Sequence, residues 1–337
     1  ALEERGHPEK TIERVVRVIG SFALYGFPES HAISFGILAY ASSYLKVHRA
    51  AEFYTGLLNN QPMGFYAPAT LIQEAKRRGL RFRSPCVVSS GWRCEIVDDE
   101  TIRLGLNTVK GLKRERVLAM VRERERAPFR SLEDFRLRTD FDRRQSRQLA
   151  SVGALRAYTG TRREAIWEVE RPGLAQGDLF ADPVARVAEE KEPCPLPAMD
   201  YGERINADFS GMGLTAGKHP MALLRPRMAE TILPAEKLSG GPNGARVSTA
   251  GAVICRQRPG TAKGVVFITL EDETGLSNSI VYADRFEEFR LTITTEPFLL
   301  IHGRLQKAEG TTHVMAEKIE PLPVSAALPA AESHDFH

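Results

Sequence analysis

The chain has 337 residues, enough for two or three domains of about 100–200 residues each. Its 42% hydrophobic and 26% charged residues exclude wholesale disorder, and its longest uncharged apolar run, the ten residues AISFGILAYA, is too short to span a membrane. The net charge of +3 hides an asymmetry: residues 103–163 carry 17 Lys/Arg against 7 Asp/Glu, and residues 164–208 carry 4 against 11. The basic block points to a polyanionic partner, most simply nucleic acid. A solvated charged helix face is the competing reading, weakened because several of the arginines have no acid at i±4. Cys86, Cys94, Cys194 and Cys255 are scattered and form no C-x-x-C, which predicts reduced thiols rather than a disulfide or zinc site. With no secretory signal pattern at the start of the sequence, the expectation is a cytoplasmic protein.

In chain order, residues 8–22 read as a helix with Ile12, Val15, Val16 and Ile19 on one stripe. Gly26 and Pro28 break it. Ser30 is placed to cap a second helix over about 31–48, apolar nearly all round and expected to be buried. A third helix covers about 50–58. A fourth, 68–78, ends in Lys76-Arg77-Arg78-Gly79, cations and then glycine, as a C-terminus prefers. Strands are expected around 81–83 and 93–104. Residues 105–168 read as short helices, with SLED (Ser131–Asp134) and TRRE (Thr161–Glu164) as capping-box patterns. Residues 170–200, with five prolines and an excess of acid, read as a linker. From Arg246 to Ile319 the apolar period changes to two. Five strands, with a short helix at 284–290 between the third and fourth, fit an OB-fold.

Four segments carry chemistry. VKGLKRERVLAMV resembles a helix-hairpin-helix, in which a glycine turn brings backbone N–H groups to a DNA phosphate; Lys110, Gly111, Lys113 and Arg114 are its candidate duplex contacts. The usual Gly-apolar-Gly is here Gly111-Leu112-Lys113, which exchanges the second glycine for a cation, and an ordinary helix turn is the alternative. Arg256, Arg258 and Lys263 between the first two barrel strands, with Phe267 on the second and Tyr282 on the third, suggest single-strand binding by charge and stacking. Core burial of Phe267 is the competing reading. Gln176, Leu179 and Phe180 in the linker form a short docking peptide, with chance or local packing as the alternative. Tyr25, Ser30 and His31, at a helix start, could face an anionic ligand or belong to a structured loop. There is no H-E-x-x-H, Walker A or G-x-S-x-G motif and no strand-borne Asp pair, so no catalytic or metal-binding residue is expected in this chain.

The stretches YGFPESHAISFGILAYASSYLKVH and LLNNQPMGFY resemble the bacterial C-family DNA polymerases, relatives of the polymerase III alpha subunit. Pro28-Glu29, where replicative members carry Asn-Lys, together with QPMGFY and RQRPGTAKGVVFITLEDETG, resembles their error-prone branch. The closing HDFH resembles that branch's natural C-terminus. The resemblance runs in order over essentially all of 1–320.

It implies a multidomain α+β chain: mostly helical fingers and a helix-hairpin-helix region, followed by an all-β OB-fold barrel. The implied limits are distal fingers at 1–100, tandem helix-hairpin-helix at 101–168, acidic Pro-rich linker at 169–208, connecting segment at 209–244, OB-fold at 245–320 and tail at 321–337. It also implies a C-terminal fragment of a polymerase for translesion synthesis and DNA repair. The Mg²⁺ ions would be held by palm carboxylates outside this chain, leaving the fragment inactive alone. The implied partners are primer–template duplex, single-stranded template and deoxynucleoside triphosphates, with a sliding clamp and damage-tolerance accessory proteins as further candidates and no membrane. A non-catalytic DNA-binding accessory protein with the same modules is the alternative. A DNA ligase is disfavoured because no Lys-x-Asp-Gly occurs.

Overall fold

The computed structural model describes residues 6, 8–25, 29–64, 67–171, 193–308, 310–322 and 334–336. The chain divides into two compact units, 1–53 and 54–337.

The first unit holds helix α1 (Glu9–Tyr25), helix α2 (Glu29–His48) and the beginning of α3 (Ala50–Asn59). Two expectations change here. Helix α2 begins at Glu29, so Ser30 is inside the helix rather than at its cap. The apolar surface of α2 is also not buried. Ile33, Phe35, Ile37, Leu38 and Tyr40 all stand exposed, Phe35 by 57%. A helix apolar all round is buried only where other elements surround it.

In the second unit, α4 (Pro68–Arg77) starts on Pro68 in its first turn, where the missing N–H costs nothing, and ends at Gly79 with φ +91°. A three-stranded sheet follows in the order β1–β3–β2, from β1 (Arg81–Arg83), β2 (Glu95–Asp98) and β3 (Thr101–Arg103). The expected strand over 93–104 is thus a hairpin, bulged between Ile96 and Asp98.

Four helices follow: α5 (Arg114–Arg126), α6 (Leu132–Arg138), α7 (Arg143–Ser151) and α8 (Arg162–Glu170). Thr161 and Glu164 close the expected capping box of α8. Ser131 accepts from Asp134 N–H, but the Asp134 carboxylate reaches back to Arg130 N–H at 2.8 Å, one residue earlier than a full box requires. The apolar stripes of these helices meet around Phe135, which packs against Phe129, Phe141 and Tyr158.

The expected linker contains structure at both ends. Helix α8 runs to Glu170, and α9 (Tyr201–Met212) begins with a capping box of its own, Asp200 with Glu203. Short turns of helix, α10 (Met221–Leu224) and α11 (Ala235–Leu238), flank the two-residue strand β4 (Ile232–Leu233) in the expected connecting segment.

The barrel is built from β5 (Arg246–Gln257), β6 (Val266–Glu271), β7 (Leu276–Val281), β8 (Phe298–Ala308) and β9 (Thr311–Pro321). Helix α12 (Ala283–Thr295) lies between the third and fourth of these strands. The order β5–β6–β7–β9–β8 closes through a β5–β8 pairing. All its pairings are antiparallel except β7–β9, which gives the five-stranded OB barrel the period-two pattern predicts. Val253, Ile268, Leu270, Val281, Leu299 and Ile301 fill its interior. A short strand β10 (His334–Phe336) lies parallel to the end of β5.

Candidate nucleic-acid interface

The glycine hairpin before α5 depends on one backbone choice. Gly111 has φ +80°, a region that costs any residue with a Cβ, and an ideal Cβ built there would meet no atom within 4 Å. The turn is therefore open to a ligand from outside. It is held from inside by Gln145, whose Nε2 donates to the Gly111 carbonyl at 3.1 Å while its Oε1 accepts from Arg116 at 2.6 Å. Lys110 N–H donates to the Gly211 carbonyl at 2.8 Å, so α9 holds the other side of the turn. Lys113 is the N-cap of α5 and makes no side-chain cap bond, leaving the first N–H groups of the helix uncapped by that residue.

Lys110, Lys113 and Arg114 are exposed and, among the described residues, have no acidic partner. Most of the other arginines of the basic block instead bond to acids, carbonyls or a hydroxyl within the fold. Arg138 pairs with Glu123 and Asp134, Arg143 and Arg147 with Glu170, and Arg162 with Asp208. Arg163 pairs with Glu203 and Arg116 with Asp140 and Asp142. Arg124 donates to the carbonyls of Val87 and Ser90 at 2.8 and 2.9 Å. Much of the charge asymmetry is therefore neutralised within the fold, with Glu170, Glu203 and Asp208 of the acidic block answering arginines of the basic one. The acids lie 15 to 46 residues away except Asp134, beyond the reach of an i±4 inspection.

On the barrel the four candidate residues separate. Arg256 is not a loop cation. It sits on β5 with its side chain 12% exposed, donates to the carbonyls of Ile293 and Glu296, and pairs with Asp335 at 3.3 Å. Its guanidinium ties β5 to the end of α12 and to β10, so it is a strand residue engaged inside the fold rather than the loop cation expected. Arg258 stacks 4.6 Å over the Phe286 ring and lies 4.0 Å from Glu287, with its side chain 45% exposed. Lys263 is exposed, at φ +49° in the β5–β6 connection. Phe267 is not core: on β6 it is Val266, Ile268 and Leu270 that point inward, and Phe267 stands half-buried on the outer face. It pairs with Ile280 of β7, which pairs with Met315 of β9, forming a half-buried apolar row across three strands. Ile280 and Met315 escaped notice because the register that aligns them with Phe267 is fixed by strand pairing. Tyr282 lies just beyond β7 as the exposed N-cap residue of α12.

In the first unit, Tyr25 is the last residue of α1, and the helical position of Ser30 is described without its side chain. His31 is exposed, with its ring edge-on to Phe35 at 4.5 Å. Gln176, Leu179 and Phe180 lie outside the described residues. Among the described residues no three His, Cys, Asp or Glu side chains gather as a metal would require, and no helix is long and apolar enough to cross a membrane. The four cysteines are free thiols.

Comparison with known proteins agrees with this division. The family profile described as "Helix-hairpin-helix motif" matches residues 79–165, and that described as "OB-fold nucleic acid binding domain" matches residues 247–322. An error-prone DNA polymerase of Azoarcus sp. (strain BH72) is 41% identical over 349 residues, covering 100% of this chain and 32% of the relative. One of Anaeromyxobacter sp. (strain K) is 40% identical over 348 residues, with 100% and 30% covered. One of Bordetella parapertussis is 40% identical over 347 residues, with 100% and 33% covered. Over its whole length the chain is thus similar to proteins named error-prone DNA polymerase, and it spans about a third of these curated relatives' length.

Proposed function

We propose that this chain is the DNA-handling part of an error-prone DNA-directed DNA polymerase acting in translesion synthesis and repair. The helix-hairpin-helix region grips the primer–template duplex by its backbone, and the OB barrel holds single-stranded template. The observation that carries this reading is the open Gly111 turn with its three unpaired cations, within a region whose other arginines are largely committed to internal partners. A backbone-directed grip suits an enzyme that must bind any sequence, since phosphate contacts position a protein without reading bases.

The remaining assignments follow from the family. Nucleotidyl transfer joins the primer 3′-oxygen to the α-phosphate of a deoxynucleoside triphosphate and releases pyrophosphate. Mg²⁺ held by carboxylates outside this chain would stabilise the attacking and leaving oxygens. The helix α2 start, with Tyr25, Ser30 and His31, would face the incoming nucleotide. Gln176, Leu179 and Phe180 would dock on a sliding clamp, with accessory proteins as further partners in a cytoplasmic setting.

The test is duplex binding by the 337-residue chain as a function of salt. Two unrelated sequences should bind equally, and changing Lys110, Lys113 and Arg114 to Ala should lower the slope of log K against log salt by about 0.9 per lost contact. A slope unchanged by the triple substitution would mean these cations are a solvated face.

A further inference from the structure

The second glycine turn of the helical region shares the positive φ of the first but not its surroundings. After α7 the chain turns through Gly153 at φ +81°, close to the +80° of Gly111. An ideal Cβ on Gly111 meets nothing within 4 Å, whereas one on Gly153 would lie 2.7 Å from Nε of Arg162 and 3.4 Å from Cδ of Arg156. Val152, Gly153, Ala154 and Leu155 are all buried.

The cover over this second turn is anchored. The Arg162 guanidinium donates to the Ser151 and Arg204 carbonyls at 3.1 and 3.2 Å and pairs with Asp208 at 2.7 Å. The two side chains of that pair are only 9% and 5% exposed. Asp208 is in turn fixed by the Thr215 hydroxyl at 2.6 Å, and Gly211 of α9 abuts Val152 and Gln148. Helix α9 therefore lies where DNA would have to approach. A backbone N–H serves a phosphate only if the phosphate reaches it, and opening a buried ion pair leaves an uncompensated charge.

The first turn instead shares its cleft with the start of α7. A cleft of about 430 Å³ is lined by Lys110, Lys113, Arg144, Gln145 and Ser210 among others. Arg144 is exposed and, among the described residues, has no acidic partner, while its neighbours Arg143 and Arg147 reach Glu170. The carboxylate that also lines the cleft, Asp142, is already engaged: it accepts from Gln145 N–H at 2.8 Å and pairs with Arg116 at 3.1 Å.

We propose that the duplex grip is one-sided. Lys110, Lys113 and Arg114 from the first hairpin and Arg144 from α7 form one composite seat for DNA phosphate. The second hairpin, sealed by Arg162 and Asp208, is a structural joint that holds α9 and touches no DNA. This rests on the reading of 101–168 as a duplex-binding region, and the two are separable.

The experiment measures duplex affinity against salt for the 337-residue chain and for Lys113→Ala, Arg144→Ala and Arg156→Ala. Arg156 is the exposed cation beside Gly153 that a DNA-contacting second hairpin would use. Lys113→Ala and Arg144→Ala should each reduce the slope by about 0.9, and Arg156→Ala should leave it unchanged. If Lys113→Ala lowers the slope but Arg144→Ala does not, or if Arg156→Ala lowers it too, the one-sided grip is wrong and duplex binding stands. If the unmodified chain does not bind, or Lys113→Ala changes nothing, the duplex reading and the proposal fall together.

Discussion

At the scale of single residues, the useful distinction is between cations the fold employs and cations it leaves free. Arg256 and Lys263 are seven positions apart and opposite in this respect: the first bridges β5, α12 and Asp335, the second is exposed in a loop. Replacing Arg256 by Ala removes hydrogen bonds to two carbonyls and an ion pair, and should destabilise the protein by about 2 kcal/mol in thermal or chemical unfolding. Lys263→Ala should leave the unfolding midpoint unchanged and weaken binding to a single-stranded oligonucleotide. Phe267→Ala should weaken it further, since stacking a base on an aromatic ring contributes roughly 1–3 kcal/mol. If Arg256→Ala left stability intact and abolished oligonucleotide binding instead, its assignment as a structural bridge would be wrong. The sequence identified these cations as a group but could not sort them. Their partners are carbonyls and carboxylates brought near by the fold, such as Glu296 for Arg256 and Glu170 for Arg147.

At the scale of elements, local chemistry was legible and tertiary cover was not. The glycine that ends α4, the Thr161 capping box and the helix between the third and fourth barrel strands all follow from short-range patterns, and each is present. Helix α9 was missed because the prolines before it and the acids around it resemble a linker, although Asp200-Tyr-Gly-Glu203 carries the N-terminal signature of a helix. Burial of α2 was inferred from composition, which says that an apolar helix needs cover but not which residues supply it.

The far end of β6 yields a pH test. Glu271 is buried beside Arg77, whose two terminal nitrogens lie 3.2 Å from its Oε1, and His219 is 3.8 Å away. Burial pushes the Glu271 carboxyl up to about 7 against the pull of Arg77, with Asp272 and Glu74 adding to the rise. A carboxyl raised above its unfolded value of 4.5 favours folding when protonated. That contribution is complete below pH 4.5 and disappears as pH rises through about 7. His219 runs the other way: burial lowers it from 6.5 to about 4, so its contribution holds above 6.5 and is lost as pH falls through about 4. Glu271→Gln should therefore flatten the fall in melting temperature between pH 5 and about 8, a change on the order of 3 kcal/mol in unfolding free energy. Parallel curves for variant and parent across that range would show that Glu271 does not titrate there.

At the scale of the whole molecule, the chain has two compact units, at 1–53 and 54–337, and covers about a third of its relatives' length. On the proposed function the metal-holding carboxylates lie outside this chain, and the 337-residue chain should bind DNA without extending it. A primer-extension assay with Mg²⁺ checks this, and any incorporated nucleotide would contradict it. The central claim is that two separate surfaces serve two forms of DNA. The most direct measurement is a crossed one: duplex and single-strand affinities of the chain carrying either Lys110, Lys113 and Arg114 changed to Ala or Lys263 and Phe267 changed to Ala. The first set should weaken duplex binding with single-strand binding retained, and the second set should do the reverse. Equal losses of both affinities in each variant, or no loss in either, would contradict it.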